Sequence, residues 1–108
     1  MDDPFKERKK KYEEKWAHDE ELRFKIGARR NKLLGLWAAA ELGMTGAAAD
    51  DYASAVVAAD LQGGDSMLRK LRADFDAAKL AHSDHVIERR MEELLADAAE
   101  QIMHETKG

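Results

Sequence analysis

Apolar and polar positions repeat with a helical period along most of the chain. The densest apolar stretch is Ala28-Arg29-Arg30-Asn31-Lys32-Leu33-Leu34-Gly35-Leu36-Trp37-Ala38-Ala39-Ala40. Ile26, Leu33, Trp37 and Ala40 recur at spacings that put them on one face of a helix. Leu34, Leu36 and Ala38 widen that face beyond what a lone surface helix needs, so this stretch predicts a central helix buried by its neighbours. Three further stripes follow. Ala48, Tyr52, Ala55, Val56 and Ala59 predict a helix over residues 46–61, and Leu68, Leu71, Phe75 and Ala78 predict a shorter one. Ile87, Met91, Leu94, Leu95, Ala98 and Ile102 predict a last helix over 84–105. The breaks carry suitable chemistry. Gly43 is a permissive helix end, and Thr45 is placed to cap the next helix. Gly63-Gly64 ends that helix, and Asp65 or Ser66 caps the one after. Ser83 is an N-cap, with Asp84 complementing the helix dipole.

The N-terminal stretch differs. In residues 1–20, six basic and seven acidic side chains net −1, and the bulky apolar residues are only Phe5, Tyr12 and Trp16. These three share one helical stripe. A continuous helix from Phe5 to Leu42 would run about 57 Å, while a folded chain of this size spans only some 35 Å. The first part must therefore project, bend back or melt, and Gly27 is a plausible bend because glycine weakens a helix by about 1 kcal/mol. The pattern predicts an all-α, four-helix bundle-like single domain with a long N-terminal helix whose first part projects or is disordered. Residues 1–18 form a flexible arm and residues 19–108 the helical domain.

Composition narrows the function. The 108 residues carry a net charge of −4, which argues against a general nucleic-acid binder. There is no cysteine, hence no disulfide and no thiolate metal site. No apolar run approaches the ~20 residues of a membrane span, and the start lacks a secretory h-region, so a cytosolic, soluble protein without membrane insertion is expected. His82, Asp84 and His85 lie close together, but no third ligand is marked by spacing, and a capping and surface role fits them better than a metal site. His18-Asp19 is a pair also found in metal phosphohydrolases, without the further ligands that chemistry needs. Gly63-Gly64 lacks the Lys-Ser/Thr of a phosphate loop. Nothing supports an enzyme or a resident cofactor. The turn Arg29, Arg30, Asn31, Lys32 is the best small-anion candidate, because arginine pairs well with phosphate. Arg29, Arg30 and Lys32 are therefore candidate contacts for weak ATP or ADP binding, with a solvated face or structural ion pairs as the plainer reading. The arm stripe of Phe5, Tyr12 and Trp16 has too few apolar neighbours to be buried at home, which leaves partner binding and ordinary core both open.

A recognisable pattern runs through these residues: Phe5-x-x-Arg8, Glu14-Lys15-Trp16-Ala17-His18-Asp19-Glu20-Glu21, Phe24, then the Ala28–Ala39 block. Downstream, Thr45-Gly46, Tyr52-Ala53, Val56-Val57-x-Ala59-Asp60, Arg72-Ala73-Asp74-Phe75-Asp76 and Ser83-Asp84-His85 continue it. The chain resembles the ATPase-inhibitor zeta-subunit family of alphaproteobacteria. The resemblance implies a four-helix protein, monomeric when free, that binds the F1 sector of the F-type ATP synthase at the inner-membrane periphery. It implies that the N-terminal segment, with Phe5, Arg8, Tyr12 and Trp16, folds as a helix into a catalytic α/β interface beside the γ shaft and blocks ATP-driven reverse rotation. The arm differs from the usual family pattern in its Lys9-Lys10-Lys11 run and in Trp16, where Phe is common.

Overall fold

The computed structural model describes residues 4–15 and 18–106, apart from the side chains of Phe5, Lys9, Tyr12, Glu13, Lys15 and Thr106. The described residues form five α-helices and no strand: α1 (Pro4–Lys15), α2 (Glu20–Glu41), α3 (Gly46–Asp60), α4 (Ser66–Ala77) and α5 (Asp84–Thr106). Helices α2 to α5 are the four expected from the apolar stripes. The long N-terminal helix is divided, and its first part is a helix of its own.

The division falls before Asp19, and α2 runs unbroken through Gly27, where the composition suggested a bend. Asp19 is in an extended conformation, and its carboxylate accepts a hydrogen bond from the Leu22 backbone N–H at 3.1 Å. That satisfies an orphan donor of the first turn. Glu20 and Glu21 add negative charge at the positive end of the helix. The His18-Asp19 pair is thus the start of a helix. At the other end Gly43 takes a positive φ of 82°. Met44 N–H donates to the Ala39 carbonyl at 2.8 Å and Gly43 N–H to that of Ala40 at 3.0 Å, the paired bonds that close a helix and turn the chain.

Helix α2 is the hub, with α3 on one side and α5, antiparallel, on the other; α4 packs on α3. Its buried residues are Ile26, Asn31, Leu34, Gly35, Ala38 and Ala39. The expected stripe of Ile26, Leu33, Trp37 and Ala40 is therefore rotated: Ile26 is fully buried, Leu33 and Trp37 flank the core, and Ala40 is exposed. The reason is that α2 meets α3 through its smallest residues. A Cβ added to Gly35 would lie 2.6 Å from the Ala53 Cα, so the two backbones touch there. On α3 the buried face is accordingly Ala53, Val56 and Ala59, while Ala48 and Ala55 point outward. We expect Gly35→Ala to destabilise the fold by about 2 kcal/mol, because overpacking against backbone outweighs the ~1 kcal/mol gained in helix propensity. The urea midpoint of the variant reads this directly, and an unchanged or raised midpoint would contradict the close approach.

Two clusters make the core. The larger joins Leu34 and Ala38 of α2, Val56 and Ala59 of α3, Met67, Leu71 and Phe75 of α4, and Ile87 of α5. The smaller joins Ile26 to Ala98, Ala99 and Ile102 of α5. Polar ties cross between helices. Buried Asn31 donates from Nδ2 to Asp60 at 2.8 Å and accepts from Arg30 Nε at 2.7 Å. Tyr52 donates its hydroxyl to Asp74 at 2.6 Å, and Lys70 sits over the Tyr52 ring while also binding Asp74. Burial first, and then Asp74, push the Tyr52 phenol well above its usual range. Val86 N–H reaches Ser83 Oγ at 3.2 Å, so Ser83 does cap α5. Thr45 occupies the cap position of α3, but its side chain makes no capping bond.

Candidate functional site

The arm is the first element to place. Had α1 and α2 been continuous, Arg8 would lie about 27 Å beyond Ile26 along the axis. Instead the Arg8 guanidinium reaches α5, where it donates to Asp97 and to Glu100. Asp97 neighbours Ala98, which shares a core cluster with Ile26. The arm has therefore turned back over the domain, one of the three ways its length allowed. These two carboxylates, Asp97 before Glu100, hold the guanidinium pKa above its ordinary value. Their spacing of three places both on one face of α5. The side chains of Phe5 and Tyr12, and all of Trp16, lie outside the described residues.

The basic turn of α2 is the second candidate. Consecutive helical residues point about 100° apart, and the three cations do splay. Arg29 turns to the last turns of α5, donating to Gln101 at 2.8 Å and to Glu105 at 2.7 Å. The Arg29 hydrogen bond keeps the Glu105 carboxyl below the usual range. Arg30 turns the other way, onto Asn31. Lys32 is exposed between the two, beside shallow grooves on either side of α2. One, of about 550 Å³, lies toward α3 and adds Asp50, Ser54 and Val57. The other, toward α5, brings Lys32 to Arg29 and Lys25, beside Phe24, which is 74% exposed. The structure thus assembles Arg29 with Lys32 and leaves Arg30 out. A phosphate entering that depression would compete with Glu105 for Arg29. Arg89 and Arg90 stand far away, about 22 Å along α5 from Glu105, where Arg90 lies 5.5 Å from the Trp37 ring.

His82 packs against Phe75 and Trp37 with ring centroids 5.0 and 5.7 Å away, and its Nε2 is 3.3 Å from Glu41. Among the described residues no three His, Cys, Asp or Glu side chains are grouped to hold a metal. No helix of the described residues is long and apolar enough to cross a membrane.

Sequence reasoning missed the partners of Arg8 and the burial of Asn31. A signal for the first was available. Residues 4–15 carry six basic and three acidic side chains, net +3, while residues 91–105 carry five acidic and no Lys or Arg, net −5. The acids that bring the first 20 residues to −1 lie partly outside α1, at Asp2, Asp3, Asp19 and Glu20.

Comparison with known proteins gives one family. The model described as ATPase inhibitor subunit zeta matches residues 1–101. No curated protein matches the chain significantly.

Proposed function

Because the chain belongs to the ATPase inhibitor subunit zeta family, we propose that it is a regulatory inhibitor of ATP hydrolysis by the F1 sector of the F-type ATP synthase. The observation that carries this reading is the extent of the family match, which takes in the arm and the domain together. The geometry supports a division of labour between them. The chain as a whole extends 39 × 33 × 27 Å, whereas one helix is only about 10–12 Å across, so a single helix is the part suited to entering a cleft. Residues 1–18 are the inhibitory arm, entering a catalytic α/β interface beside the γ shaft as a helix. Phe5, Tyr12 and Trp16 supply apolar anchors and Arg8 a charge-assisted hydrogen bond. Helices α2 to α5 are the folded body that holds the arm's base, and ATP-driven reverse rotation is blocked by the wedge. The protein then works at the cytoplasmic face, peripheral to the inner membrane when bound, with no chemistry of its own.

The test is a hydrolysis assay. Titrating the full chain into F1 from its own organism should lower the ATPase rate in a saturable way. A rate that stays constant at micromolar protein, where specific complexes of this kind are populated, would overturn the reading.

A further inference from the structure

We propose that the inhibitory arm is kept on its own body by an electrostatic latch, Arg8 of α1 clasped by Asp97 and Glu100 of α5, and that inhibition requires the latch to open. The inference rests on the reading of residues 1–18 as the inhibitory arm.

Three observations carry it. The first is the contact itself: a guanidinium with two carboxylates, reached across 89 and 92 positions of sequence and only by reversing the chain between α1 and α2. The second is the charge on the two faces. Helix α1 nets +3 and residues 91–105 of α5 net −5, so the attraction extends beyond the contacting residues. The third is exposure. The Arg8, Asp97 and Glu100 side chains are 34%, 42% and 57% exposed. Partly solvated pairs of this kind are weak and screened by salt. The latch is thus a weak one, which a competing partner for Arg8 can displace.

The consequence follows from competition. Arg8 cannot serve α5 and a partner at once, so only the open fraction of the protein is competent to inhibit. Apparent affinity is then reduced by that fraction. Loosening the latch from the α5 side leaves every arm residue in place, and it should make the protein a better inhibitor. Loosening it at Arg8 would mix two effects, because Arg8 belongs to the arm as well.

The test is the double variant Asp97→Asn/Glu100→Gln in the full chain. Its surface positions and near-identical shapes leave the core untouched. Amide exchange and 15N relaxation of residues 4–15 in the isolated protein read the latch directly. The variant's arm amides should exchange faster and move more, and raising salt should move the unaltered chain toward the same behaviour. In the F1 hydrolysis assay the variant's half-inhibition concentration should fall by about threefold, the scale of one exposed pair. Arm amides that behave identically in the two chains would overturn the latch. Faster arm amides with an unchanged half-inhibition concentration would overturn its regulatory role. Failure of the unaltered chain to inhibit at all would defeat the inhibitor reading instead, and the amide data would still decide whether the latch exists.

Discussion

Phe75→Ala should lower the stability of the folded chain by about 3–5 kcal/mol, the range for removing a buried aromatic ring from a packed core. Phe75 is fully buried. Its cluster is the only one of the two described that draws on all of α2, α3, α4 and α5, so the cavity would open where four helices meet. The ring also meets Trp37 edge-on at 5.7 Å and His82 at 5.0 Å, geometries that add to the burial term. A single domain has a total stability of only about 5–15 kcal/mol, so the variant should be partly unfolded well below the melting temperature of its parent. Urea titration followed by circular dichroism measures the loss. Leu61→Ala makes the control, because Leu61 is 78% exposed and its removal opens no cavity. A Phe75→Ala midpoint close to that of Leu61→Ala would mean that α4 is not part of the common core.

What the apolar pattern made legible depended on side-chain size. The stripes of α4 and α5 rest on Leu71, Phe75, Ile87 and Ile102, residues whose burial is worth enough to orient a helix, and all four are buried. The stripes of α2 and α3 rest largely on alanine. Ala38, Ala39 and Ala53 are buried while Ala40, Ala48 and Ala55 are exposed, and nothing in local spacing separates the two groups. What separates them is Gly35, whose missing side chain lets α3 approach at one register. The helix start at Asp19 was legible in principle, since an Asp followed by two Glu is an N-terminal signature; the glycine eight residues on was the weaker signal. Asn31 was not legible. It sits in a basic turn that reads as solvated, and only its bond to Asp60, 29 positions away, makes its burial affordable. The same holds for the candidate site. Arg29, Arg30 and Lys32 are neighbours in sequence, but a helix points neighbours in different directions. Arg8 and its carboxylates are distant in sequence and meet only because the chain reverses.

Deleting residues 1–18 should abolish inhibition of F1 hydrolysis while leaving the rest of the chain folded. The folding half of the expectation follows from where the helix boundary lies. Asp19 remains to cap α2, with Glu20 and Glu21 in the first turn, so the truncated chain starts at a competent helix end. Among the described side chains, neither core cluster includes one from α1. The contacts of Arg8 with Asp97 and Glu100 are two partly exposed ion pairs, and losing both should cost at most about 2 kcal/mol. The functional half follows from how a thin arm gains affinity. An arm that orders on binding spends about 2–5 kcal/mol or more of its gross interaction energy on that ordering. The surplus must come from a few anchors in desolvated pockets, and large aromatics are the usual ones. Phe5, Tyr12 and Trp16 share a stripe once the arm is helical, so Trp16→Ala should raise the half-inhibition concentration at least about tenfold, equivalent to the ~2 kcal/mol of a typical anchor. Lys10 pairs within its own helix, with Glu14 at 3.9 Å, and Lys10→Ala should change inhibition little. The measurements are the hydrolysis rate of cognate F1 as each variant is titrated in, and the melting curve of each variant alone. Loss of inhibition with a retained melting transition assigns the activity to the arm. Full inhibition by the truncated chain would place the activity in helices α2 to α5, and the latch between Arg8 and α5 would then have nothing to restrain.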